Sequence, residues 1–89
     1  MEITYDTAKN IRNIELRGLS FDRAADFDFP SALIWIDTRK AYPEVRFSAL
    51  GYVDSRVHSL VFAETACGIR VISFRKANKR EVKRYEQKT

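Results

Sequence analysis

The sequence predicts an α+β fold: two N-terminal helices, a four-stranded antiparallel sheet and a C-terminal helix, in one domain over residues 1–89. Three observations carry that expectation. Helix signals stand towards both ends of the chain, Asp6 before a run that Gly18 stops and Asn78 before a run that starts at Lys79. Between Ala32 and Phe74 the pattern changes to short apolar or alternating runs rich in β-branched and aromatic residues. Several of these runs are separated by turn-sized gaps, as in strands that fold back on their neighbours.

Ile3 to Tyr5 can form a short edge strand. Asp6 reads as an N-cap, and its helix extends to about Arg17, where Gly18 supplies the stop. Ala8, Ile11 and Ile14 or Glu15 fall on one face of that helix. Ser20 caps a shorter helix from Phe21 to about Phe27, with Phe21, Ala24, Ala25 and Phe27 on its core side. Pro30 closes the region, because the residue before a proline avoids the α conformation.

Ala32 to Asp37 is continuously apolar until its last residue, as in a central strand, and Thr38 to Pro43 is a polar loop. Val45 to Val53 alternates, with Val45, Phe47, Ala49 and Gly51 on one side and Arg46, Ser48, Leu50 and Tyr52 on the other. Val57 to Glu64 sets Val57, Val61 and Ala63 against Leu60, Phe62 and Glu64. Asp54-Ser55 and Ala66-Cys67-Gly68 are the hairpin turns. The last strand holds Ile69, Val71, Ile72 and Phe74 and turns basic at Arg75 and Lys76. Asn78 and Glu81 have the spacing of a capping box, so a helix from Lys79 to about Gln87 follows.

The hydrophobic share of 45% and eleven aromatic residues are enough for a packed core and argue against disorder. A single cysteine, Cys67, rules out an internal disulfide; with no signal-peptide pattern this fits a reducing cytoplasm. The apolar runs fall well short of the roughly 20 residues a membrane helix needs. The net charge of +4 is concentrated: residues 70–89 hold eight Lys or Arg against two Glu, while residues 1–69 hold eight against ten acidic residues. A basic strand–helix unit suits a polyanionic partner.

One histidine and one cysteine make a clustered metal site or a Cys–His nucleophile pair a poor fit, and three scattered glycines make no phosphate loop. No cofactor is expected. Arg, Lys, Glu and Tyr are what remains, a set suited to cutting RNA without a metal. Guanidinium groups can neutralise a phosphorane-like transition state, and a Glu, Lys or Tyr can move protons. The same residues also suit a plain RNA-binding face.

Several segments together resemble the BrnT family of toxins from bacterial type II toxin–antitoxin systems. They are YDTAKNIRN at Tyr5–Asn13, RGLSF at Arg17–Phe21, YPEVRFSALG at Tyr42–Gly51 and ETACGIRVISFRKA at Glu64–Ala77, followed by Glu81, Tyr85 and Glu86. The resemblance implies a RelE-like fold, a small ribonuclease that blocks translation, and a neutralising antitoxin of the BrnA type with a DNA-binding domain for autorepression. Many members carry His where Arg17 stands; the sole histidine here, His58, does not match that position.

On this footing the expected catalytic set is Arg75, Arg70, Glu64, Arg46, Lys9 and Tyr85. Arg75, Arg70 and Arg46 hold the phosphate, Glu64 or Lys9 moves protons, and Tyr85 aligns the substrate or packs the last helix. Lys76, Lys79, Arg80, Lys83 and Arg84 form the expected RNA-binding face. Arg70 and Arg75 are five residues apart and fall on opposite faces of a regular strand, so both reach one site only if the strand bends or ends early. Glu81 is expected to serve the helix cap, and Trp35 and Phe47 to lie in the core. The alternative is a basic module that binds RNA or the antitoxin without turnover.

Overall fold

A computed structural model describes residues 1–88. In chain order the elements are β1 (Glu2–Tyr5), α1 (Thr7–Arg17), a 3₁₀ helix (Phe21–Asp26), β2 (Leu33–Ile36), β3 (Phe47–Val53), β4 (Arg56–Glu64), β5 (Gly68–Lys76) and α2 (Lys79–Glu86). The strands form one sheet in the order β1-β5-β4-β3-β2. β1 runs parallel to β5, and the other neighbours are antiparallel.

The four-stranded antiparallel sheet expected from the sequence is therefore corrected to a five-stranded mixed sheet. Periodicity marks Ile3–Tyr5 as extended but says nothing of its partner, which lies more than sixty residues away. Gly68 makes that pairing possible: a Cβ there would sit 2.6 Å from the Glu2 amide nitrogen. The second N-terminal helix is a 3₁₀ segment, with Ser20 Oγ accepting from the Asp22 N–H at 3.1 Å. The run expected to be a central strand is β2, at the sheet edge. Its Ile34 and Ile36 are exposed, while Leu33 and Trp35 pack on the opposite face.

α1 begins at Asp6, whose carboxylate accepts from the Lys9 N–H, and ends at Gly18, whose φ of 64° is the left-handed C-cap. Its docking differs from the expectation. Ile11 and Ile14 are exposed, and two asparagines face the protein instead. Asn10 Oδ1 accepts from the Phe21 N–H at 2.7 Å. Asn13 Nδ2 donates to the carbonyls of Leu19 and Phe74, each at 2.9 Å. Phe74 lies beyond the stretch of β5 that β1 covers, so α1 takes over the edge where β1 stops.

The first face of the sheet carries the larger core. Ala49, Val53, Leu60, Phe62, Ile69, Val71 and Phe74 pack there under Phe21, Ala24 and Phe27. The second face has a smaller core of Leu50, Val57, Ala77 and Tyr85, with Leu33, Trp35 and Val82 against it. α2 covers only that part of the second face, and the rest stays open.

An irregularity in β5 decides which residues reach the open area. Val61 pairs with Ser73 and Phe62 with Val71, so Ile72 is an extra residue in the ladder. This is a β-bulge, which shifts the alternation by one. Arg70, opposite Ala63, and Arg75, opposite Ser59, consequently share the second face.

Candidate active site

The open part of the second face is a cavity of about 510 Å³. Its floor is one row across four strands: Trp35 of β2 pairs with Ser48 of β3, Ser48 with Val61 of β4, and Val61 with Ser73 of β5. Ser59, beside Arg75, extends it. Three serines where strands commonly carry branched or aromatic side chains leave the floor low. One wall comes from α2 through Glu81 and Arg84, and the other from the segment between β2 and β3 through Asp37, Arg39, Tyr42 and Arg46.

Arg75 is held in the cavity by a two-point ion pair. Its two terminal nitrogens donate to the two Glu81 carboxylate oxygens at 2.7 and 3.0 Å. This is the bidentate fork that suits guanidinium and carboxylate. Glu81 is itself fixed by the capping box at the start of α2: its N–H donates to Asn78 Oδ1 at 2.9 Å, and its Oε1 accepts from the Asn78 N–H at 3.0 Å. Arg75 beside it holds the Glu81 carboxyl below its ordinary value, against the opposing effect of burial.

Asp37 is the buried carboxylate of the opposite wall, with its side chain 1% exposed. It accepts two side-chain hydrogen bonds from Arg39 at 2.9 and 2.8 Å and a third from the Tyr42 hydroxyl at 3.3 Å. Arg39 is the main reason its pKa lies far below the usual carboxylate range. Arg46 has its guanidinium 4.2 Å from the Tyr42 ring centre and 3.7 Å from Glu44, and its Nε is buried without a hydrogen-bond partner. Arg84 lies 4.1 Å over the Trp35 ring. With Arg39, Arg46, Arg75 and Arg84 against Asp37 and Glu81, the cavity is net positive.

The expected catalytic residues are partly brought together. Arg75 and Arg46 line the cavity. Arg70 stands on the same sheet face, paired with Glu44, which also approaches Arg46. Lys9 lines an adjoining cavity that shares Ile72 and Ser73 with the first. Glu64 is apart: it pairs with Ile69 at the end of β4, on the first face, and the cross-strand contact expected with Arg70 does not form. Tyr85 is buried in the smaller core, its hydroxyl donating to the Ser31 carbonyl at 3.2 Å, and it does not line the cavity. Of the expected RNA-binding face, Arg84 lines the cavity. Lys76 lines a cavity on the first face, Lys79 and Lys83 a third, and Arg80 is exposed outside all of these.

Sequence reasoning pointed to Glu44 or Glu64 as a partner for Arg46, and it is Glu44 that approaches it. It missed Asp37, Arg39, Tyr42 and the serine floor; Trp35 packs against the smaller core and Glu81 caps α2 as expected, but both also line the cavity. One signal was there to find. Ser48 shares its strand face with Arg46, and Ser59 and Ser73 interrupt the neighbouring strands. Among the described residues no three His, Cys, Asp or Glu side chains gather as a metal site.

A family model described as the ribonuclease toxin BrnT of type II toxin–antitoxin systems matches residues 5–81. The chain belongs to the BrnT family. The match includes every lining residue of the cavity except Arg84. No curated protein matches the sequence. As a BrnT-family toxin the chain is of ribonuclease type and has an antitoxin as its partner. No helix among the described residues is long and apolar enough to cross a membrane.

Proposed function

We propose that the chain is an endoribonuclease that cuts RNA without a metal ion, blocks translation in the cytoplasm, and does so at the cavity over the serine floor. The observation that carries this reading is the Arg75 guanidinium, locked by Glu81 beside a low floor where cations outnumber carboxylates. In the reaction the 2′-oxygen gives up its proton and attacks phosphorus, the bond to the 5′-oxygen breaks, and that oxygen takes up a proton. The charge that builds on the non-bridging oxygens is met by Arg75 and Arg46, with Arg70 as a more distant contributor. Preorganised charge of this kind is commonly the largest catalytic contribution.

Asp37 and Glu81 are held as carboxylates by arginine and are weak bases, so they position cations. Lys9, in the adjoining cavity, is the candidate for moving the proton. The Trp35 ring with Arg84 across it offers a stacking platform for an unpaired base. Lys76, Lys79, Arg80 and Lys83 supply further positive surface for the strand. The antitoxin is of the BrnA type, with a DNA-binding part for autorepression. Exposed Ile11, Ile14 and Leu16 on α1 and Ile34 and Ile36 on β2 are apolar surface that a protein partner can cover.

The held-down carboxylates favour one other reading, a module that binds RNA without turnover. Incubating the purified chain with RNA in EDTA separates the two. Cleavage that Arg75→Ala lowers by about 100-fold or more supports the nuclease. RNA retained but left intact supports the binding module.

A further inference from the structure

A second basic cavity, of about 530 Å³, lies on the first face of the sheet, and the proposed reaction makes no use of it. Arg17, Arg23, Arg56, Lys76, His58 and Asp54 are among its lining residues. Arg23 is held by Asp26 and Asp54, and Arg17 donates to Asn13. Arg56 and Lys76 form no ion pair among the described residues. His58 is only 5% exposed. Its Nδ1 is 2.9 Å from the Arg56 carbonyl, which leaves Nε2 for a ligand. Burial pushes its pKa below the ordinary 6.5, and the charges of Arg56, Lys76 and Arg23 push the same way against the Arg56 carbonyl. The carboxylate in the lining, Asp54, is taken by Arg23, which leaves His58, Arg56 and Lys76 without an anion of their own.

The cavity is also joined to the active site. A smaller cavity of about 220 Å³, lined by Lys9 and Arg12, shares Arg17 with the His58 cavity. It shares Ile72 and Ser73 with the active-site cavity. Basic residues therefore continue from Arg75 around the edge of β5 that α1 covers, to Arg56 and Lys76 on the opposite face. A strand of phosphates follows such a track where a compact anion would occupy one end of it.

We propose that the His58 cavity is a second phosphate seat, filled by a backbone phosphate of the RNA flanking the cleavage site, with Nε2 of His58, Arg56 and Lys76 as its ligands. The proposal rests on the reading of the chain as a protein acting on RNA.

His58 is the sole histidine, so its imidazole resonances report on the cavity without overlap. The full chain is titrated by NMR with inorganic phosphate, with a 2′-O-methyl RNA of about eight nucleotides, which is not cut, and with the corresponding dinucleotide. Phosphate and the longer RNA are expected to raise the His58 pKa by about one unit, and the dinucleotide to leave it unmoved. Arg56→Ala, at an exposed position, is expected to abolish the response while the unfolding temperature holds. Silence towards the longer RNA overturns the proposal, with or without a response to phosphate; a response to phosphate alone marks a free-anion site. A response that survives Arg56→Ala overturns it as well. Cleavage of unmodified RNA with His58 silent leaves the nuclease reading standing without this seat. A His58 response without cleavage supports the seat and rejects the nuclease.

Discussion

Glu81 is bound to two different tasks through one carboxylate. Its Oε1 closes the capping box of α2 and also accepts from Arg75, so the start of a helix and the orientation of a cation are set together. Glu81→Gln keeps an acceptor for the cap and removes the charge. The variant is expected to lose about 1–3 kcal/mol of unfolding free energy in denaturant titrations, as for a hydrogen bond to a charged group. The pH dependence has a definite sign. The folded pKa of Glu81 lies below its ordinary 4.5, so its contribution is full above 4.5 and is lost as pH falls through the lowered folded value. Urea midpoints of the parent and Glu81→Gln should therefore converge as the pH is taken well below 4.5. A constant gap across that range would sink the ion-pair account. Sequence spacing gave Glu81 its cap, but the link to Arg75 needed the strand end and the helix start placed side by side.

At the scale of elements, local chemistry was legible and partnership was not. Asp6, Gly18, Ser20, Asn78 and the Asp54-Ser55 turn all mark boundaries through hydrogen bonds or φ values set within a few residues, and all could be read in the chain. The parallel β1–β5 pair joins distant segments, and four residues of β1 carry no trace of it. The asparagine docking of α1 was hidden for a related reason. A polar residue at helical spacing reads as exposed unless its distant acceptors, here Leu19 and Phe74, are known. Gly68 is where that pairing can be tested. Gly68→Val places a side chain against the backbone of Glu2 and is expected to lower stability by about 1–3 kcal/mol. Thermal unfolding measures the loss, and faster amide exchange at Thr4 and Tyr5 locates it. Unchanged exchange in β1 would show that the close approach is unimportant.

For the molecule as a whole, the excess charge at the C-terminal end is distributed over two faces. The +6 of residues 70–89 was visible as a sum, but the arrangement was not, because Arg75, Arg84 and Lys76 diverge around the strand–helix junction. The acidic surplus of residues 1–69 is partly absorbed where Glu44 meets Arg70 of the basic end. If RNA follows the basic surface, affinity must depend on salt. Contact with about four phosphates of a single strand gives a slope near −3 in log K against log salt concentration. Fluorescence anisotropy over a sodium chloride series reads it directly. A slope near zero would place the binding on apolar contacts and separate it from the basic cavities.

The extra residue at Ile72 has a hereditary consequence. Along a strand, sidedness is a matter of odd and even, and Arg70 and Arg75 are an odd number apart. They share a side because one supernumerary residue lies between them. A codon gained in β4 between Val61 and Phe62 would give Ile72 a partner, make the ladder regular and leave every charged residue in the gene. It would also turn Arg70 and Arg75 to opposite sides. A lineage can part these two arginines without losing either, so a count of basic residues says less about the proposed site than the register of the strand that carries them.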